Sequence, residues 1–175
     1  LHPRLHIDID TSPNQLARVG DTLDAAIILA HEPDPAFHSV RLDHNMVYAF
    51  TSKALAAEIG LNPDAAVLSR QTFLIHTELP YSFVAWKQAI GMPDLEPAAI
   101  DHYDSGQLIL EAAANGLGIA IMHDDHFNRS HDTRLAKLFD VEVESPYSYW
   151  FVCRPHALEL RSVRIFHDWL VKAGL

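Results

Sequence analysis

A chain of 175 residues with 49% hydrophobic and 21% charged side chains has the composition of a folded domain, and it is long enough to bury a sizeable core. Thirteen Lys and Arg against 23 Asp and Glu give a net charge of −10, with the basic residues scattered, so the chain is a poor candidate to grip nucleic acid by itself. No apolar run approaches the ~18 residues of a membrane span, and Leu1–Asp10 lacks the charged-then-apolar order of a signal peptide. The single Cys153 forms no internal disulfide and fits a reducing, cytoplasmic compartment.

Leu5–Asp10 alternates apolar and polar residues and predicts a half-exposed strand. Thr11, Ser12 and Pro13 supply a cap and an N1 proline for a helix over Asn14–Val19, and Leu23–Leu29 reads as a buried strand, so this stretch predicts a βαβ unit. Val40–Leu42 and Met46–Phe50 are further strands. Thr51 or Ser52 caps a helix through Ile59 that Gly60 ends. A loop with a possible short helix, Asn62–Ser69, leads to the strand Thr72–Ile75. Tyr81–Ile90 is a helix stopped by Gly91, with Phe83, Trp86 and Ile90 as a packing stripe, and Ala98–His102 is a strand.

The stretch Ile100–His123 organises the fold, because Asp104 and Ser105 are N-caps, Gln107–Ala114 is apolar almost all round, and Asn115-Gly116 is a left-handed stop. Ile119–Met122 then reads as a strand covered on both faces. His123–Ser130 predicts a short helix, Leu135–Phe139 an edge segment, and Tyr147–Cys153 a strand. The closing helix spans about Ala157–Ala173, with Leu160, Val163, Phe166 and Leu170 on its apolar face.

Chemistry-bearing motifs are sparse. Gly116-Leu117-Gly118 begins a G-x-G but follows a helix and precedes a strand, the reverse of a phosphate-cradling loop. Among twelve histidines the best metal cluster is His123-Asp124-Asp125-His126 with His131-Asp132, which lacks a fourth ligand at recognisable spacing. His167-Asp168 reads as an exposed edge of the last helix, and Ser105 as a cap with no nucleophile elbow around it. No catalytic residue, metal ligand or cofactor site is assigned, and the chain is not read as an enzyme. Four helix mouths carry hydroxyls, at Thr11-Ser12, Thr51-Ser52, Pro80-Tyr81-Ser82 and Asp104-Ser105, and their amides suit a small polar or anionic ligand where they converge.

Several strings in this order resemble the effector-binding domain of LysR-type transcriptional regulators, nearest the subgroup of glycine-cleavage and β-lactamase gene activators. They are Leu23–Ile27 (LDAAI), Tyr48–Ser52, Trp86–Gly91 (WKQAIG), Asp104–Ile119 (DSGQLILEAAANGLGI) and Tyr149–Leu170, and they span nearly the whole chain. The resemblance implies an α/β, two-lobed, periplasmic-binding-protein type II-like fold whose lobes are joined by two crossover strands, with a small-molecule cleft between them. It implies lobe I over 1–49 and 147–175 and lobe II over 50–146. Two departures stand out. The family's first strand and helix are missing ahead of Leu5, along with the winged helix-turn-helix DNA-binding domain, and Asp104 at a helix mouth disfavours an anionic ligand.

Carried over residue by residue, the resemblance implies ligand contacts at Thr11 and Ser12 in lobe I, and at Thr77, Pro80, Tyr81, Asp104, Ser105 and His76 in lobe II. It further implies a small-molecule inducer, a homodimer or homotetramer, DNA contact only through the absent N-terminal domain, and no membrane partner. Two rival expectations stand beside it: a free-standing solute-binding protein of the same fold, and a metal-dependent hydrolase built on His123–Asp132.

Overall fold

The computed structural model describes residues 5–12 and 14–173 of the chain. They fall into two compact units, 1–43 with 147–175, and 44–146. Both are mixed α/β and each is built on its own sheet.

The larger unit holds the sheet of strands β3 (Met46–Ser52), β4 (Thr72–His76), β5 (Ala99–Tyr103), β6 (Ile119–His123), β7 (Leu135–Lys137) and β8 (Val143–Glu144). The order is β5-β4-β6-β3-β7, with β8 also on β3. β5, β4 and β6 run parallel, and β3 runs antiparallel to β6, β7 and β8. Side chains alternate between two apolar faces. Val47, Ala49, Phe73, Ile75, Ile119 and Ile121 point to one, under Phe83 and Trp86 of α4 (Pro80–Ala89) and Ala56 of α2 (Lys53–Ile59). Tyr48, Phe50, Leu74, Ala120 and Met122 point to the other, under Ile109, Leu110 and Ala113 of α5 (Gly106–Ala114). This double cover is why β6 reads as an unbroken apolar run, and all five of its residues are buried.

Local chemistry sets the ends. Ser52 Oγ accepts from Leu55 N at 3.1 Å and caps α2. Ser52→Ala is expected to cost about 1 kcal/mol in urea unfolding. Gly118 stands where a Cβ would run into the Thr72 carbonyl of the neighbouring strand, so the turn into β6 needs glycine for close approach. Asp64 caps the short helix α3 (Ala65–Leu68) in the same way as Ser52.

The smaller unit holds β1 (Ala25–Ala30), β2 (His38–Arg41) and β9 (Ser148–Cys153), in the order β1-β9-β2 with β9 antiparallel to both. Helix α7 (Arg161–Ala173) lays Val163 and Leu170 over Phe151 and Cys153. Leu160 does not join that face. A 3₁₀ helix over Pro155–Glu159 precedes α7, and Leu160 is its 51% exposed end.

The expected βαβ unit is not formed. Leu5–Asp10 enters no ladder, with Ile9 84% exposed, and β1 pairs antiparallel with β9 and lies at a sheet edge. A groove of about 400 Å³ lined by Leu5–Asp10, Leu23–Ala25 and Val163 and Phe166 of α7 takes the place of a shared ladder. Helix α1 is shorter than expected, Gln15–Arg18, and its N-cap Asn14 is left-handed with no side-chain bond. Thr11 and Ser12 do not cap it, because the Ser12 amide donates to Asp10 Oδ1 at 2.8 Å in a local turn. The N1 role read for Pro13 lies outside the described residues.

Candidate functional site

Parallel pairing of β4 with β5 sets His76 beside Tyr103 at the carboxyl ends of both strands. The chain then turns the same way twice. Thr77 donates to the Tyr103 carbonyl from both its amide, at 2.8 Å, and its hydroxyl, at 3.0 Å. The Leu79 amide returns to the His76 carbonyl at 3.0 Å, which delivers Pro80 to the first position of α4. On the neighbouring strand Asp104 and Ser105 lead from Tyr103 into α5. His76, Thr77, Pro80, Asp104 and Ser105 are thereby assembled at one sheet edge, with the 56% exposed Tyr81 one residue into α4.

Neither N-cap residue closes its own helix mouth with a side-chain bond. Ser105 occupies the N-cap position of α5 but makes no capping bond, contrary to the role expected of it, and Leu79 at the α4 N-cap has no acceptor to offer. Both helix N-termini carry the partial positive charge of the helix dipole. Within α4, Ser82 Oγ is buried without a hydrogen-bond partner among the described residues.

The same edge carries histidines that the sequence reading did not place here. A Cβ at Gly106 would stand 2.8 Å from Met122 Cε and 3.3 Å from His126 Cε1, so glycine there lets the His126 ring pack against the α5 mouth. His123, at the end of β6, is 3% exposed and sits with Nε2 at 2.8 Å from Ser145 Oγ. Burial, and then the nearby His126, bring the His123 pKa down to about 4. Burial also lowers that of His126, and His76 acts on both in the same direction. The signal in the sequence was the His-x-x-His spacing, which was weighed only as a metal cluster.

That cluster is dispersed. His123 turns to Ser145, Asp125 pairs with Arg129 at 3.0 Å, and Asp132 pairs with Arg134 at 2.6 Å. Among the described residues no group of three or more His, Cys, Asp or Glu is placed to share a metal. The Thr51-Ser52 mouth does not join the others either. Thr51 Oγ1 donates to the Gly118 carbonyl at 2.9 Å, at the opposite, amino end of β6.

Thr11 and Ser12 belong to the other unit and are exposed. They follow Asp10, which pairs with Arg18 at 2.7 Å, and whose pKa the Ser12 and Arg18 bonds hold at about 2.

The family model for the LysR substrate-binding domain matches residues 1–174. A curated relative, the HTH-type transcriptional activator AmpR of Enterobacter cloacae, is 26% identical over 173 residues, which is 98% of this chain and 58% of the relative. The chain thus spans little more than half the length of that activator. Among solved structures, the effector domain of AmpR from Pseudomonas aeruginosa is similar with a TM-score of 0.71 and 25% identity, covering 86% of this chain and 71% of that one. The OxyR2 regulatory domain of Vibrio vulnificus shares the fold at a TM-score of 0.70, 17% identity, 93% of this chain and 76% of that one. So does the Synechocystis CcmR regulatory domain in complex with 2-PG, at 0.67, 16% identity, 91% and 78%. With residues 1–174 matched by the family model, the chain belongs to the LysR substrate-binding domain family.

Proposed function

We propose that this chain is the effector-sensing domain of a LysR-type transcriptional regulator and that its effector is a small polar metabolite held at the carboxyl ends of β5, β4 and β6. The observation that supports the seat is the pair of helix mouths, α4 and α5, whose N-cap residues make no capping bond, tied together by the two Thr77 bonds to the Tyr103 carbonyl. Ligands of open α/β sheets gather at such strand ends, where helix amides receive acceptor atoms. Asp104 and His76 add an acceptor and a titratable ring, which suits a ligand carrying both donors and acceptors. CcmR, seen with 2-PG, is a precedent for a small ligand in this fold. Thr11 and Ser12 are proposed as contacts on the family resemblance alone.

In the complete regulator, DNA contact falls to an N-terminal domain, consistent with the charge of −10 on this chain, and self-association couples effector to DNA. The matched helix-turn-helix activator favours this reading over a free-standing solute-binding protein or a hydrolase. A regulator of this kind would work in the cytoplasm beside its DNA. No helix among the described residues is long and apolar enough to cross a membrane.

The test is a thermal-shift screen against amino acids, small carboxylates and peptidoglycan fragments. A ligand at one hundred times its Kd adds about 2.7 kcal/mol to stability. Tyr81→Ala and Ser105→Ala should each weaken the hit, and a hit untouched by both would remove the proposed seat. Asp104→Asn is expected to tighten binding of an anionic effector several-fold and leave a neutral one unchanged, as read by calorimetric titration. Equal affinities for an anion before and after the change would show that Asp104 does not face the ligand.

A further inference from the structure

We propose that His38 and His167 form a two-imidazole site for a divalent transition metal ion, with Zn²⁺ as the probe, oriented by Asp168 and separate from the effector seat. Both histidines lie in the smaller unit, His38 on β2 and His167 on α7. His167 was read from sequence as an exposed edge residue, yet its side chain is 18% exposed and faces His38.

The two Nε2 atoms stand 3.3 Å apart, with ring centroids 5.3 Å apart and ring planes at 57°. A tetrahedral zinc ion with Zn–N bonds of about 2.0–2.1 Å holds two ligand nitrogens about 3.4 Å apart. The two side chains therefore already stand at about the ligand separation of a shared zinc ion. His167 Nδ1 is 3.0 Å from Asp168 Oδ1. An ionised carboxylate only accepts, so Nδ1 carries the proton and His167 Nε2 presents its lone pair toward His38. This is the carboxylate–histidine arrangement that orients metal-bound imidazoles. The Phe151 ring, 5.3 Å from His167, backs the site with apolar surface.

Without metal, His38 Nε2–H donates to His167 Nε2. Binding replaces that hydrogen bond with two Nε2–metal bonds, and the His38 proton moves to its Nδ1, so no proton is gained or lost. Among the described residues no third protein ligand completes the set, and the partial exposure of His167 leaves the remaining positions to water.

The experiment is Zn²⁺ titration of the chain by calorimetry, with His38→Gln, His167→Gln and Asp168→Asn alongside. One equivalent should bind to the parent, be lost in either histidine variant, and bind about 10-fold more weakly in Asp168→Asn. In ¹⁵N-detected spectra of the unsubstituted chain, Zn²⁺ should shift the Nε2 resonances of these two rings, which reads the site even if a variant fails to fold. Absence of any bound equivalent overturns the site. So does binding unchanged in both histidine variants, or binding lost only in His123→Gln or His126→Gln.

Discussion

Trp86→Ala is expected to remove about 3–5 kcal/mol from the unfolding free energy, a large share of the ~5–15 kcal/mol that a domain typically possesses. Trp86 is 1% exposed and lies where α4 meets the larger sheet. Its ring sits edge-on to Phe139 at 5.3 Å, tilted on Phe73 at 5.7 Å and parallel to Phe83 at 6.2 Å. Alanine would forfeit those contacts and leave a cavity that neighbours held by strand and helix backbone do not refill. Tyr81→Ala, on the same helix but 56% exposed, is the internal control and should stay within about 0.5 kcal/mol. Urea unfolding followed by far-UV circular dichroism reads both. A loss below about 1.5 kcal/mol for Trp86→Ala would mean that α4 does not depend on this cluster, and the helix mouth that α4 presents to the effector would lose its anchor.

The contrast between the two helix residues also shows what the linear pattern carries. Phe83 and Trp86 recur at helical spacing, and Ile119–Met122 is apolar without a break, so helix and covered strand were readable directly. Gly60, Gly91 and Gly116, all at positive φ, ended helices where the pattern stops. Periodicity does not say which backbone partners are available. Leu5–Asp10 has the alternation of a strand and Ala25–Ala30 the apolar content of an interior one, yet the first joins no ladder among the described residues and the second lies at an edge.

The site was legible to the same extent. Thr77, Pro80, Asp104 and Ser105 were reachable because caps and strand ends are local features. Their convergence depends on β4 and β5 being adjacent and parallel, and on β6 delivering His126 to the α5 mouth, neither of which spacing along the chain encodes. Ser105 could be placed at a cap position, but whether its hydroxyl turns to the helix or away is decided by packing.

His123 should make stability fall steeply in mild acid. Its folded pKa of about 4 lies below the ordinary histidine value of 6.5, because burial disfavours the charged ring and the neutral ring is held at 2.8 Å from Ser145 Oγ. The ring is therefore neutral in the folded chain while the unfolded chain binds a proton once the pH drops below 6.5. Between that value and about 4 the unfolded state holds more protons, so stability is full above pH 6.5 and is lost progressively down to about pH 4. At about 1.4 kcal/mol per pKa unit the loss approaches 3 kcal/mol, and His126, lowered for the same reason, adds in the same direction. The carboxyls of Asp10, Glu111 and Asp132 are held low by arginine and hydrogen-bond partners, and they contribute losses only at still lower pH. The comparison of the parent with His123→Gln therefore isolates the histidine: urea midpoints from pH 7.5 to 4.5 should slope in the parent and flatten in the variant. Parallel slopes would show that His123 is hydrated or charged in the folded state. Because His123 ends the strand that carries the effector seat, the same protonation would loosen β6 at its carboxyl end, and effector affinity should fall across the same pH interval in the parent more than in His123→Gln.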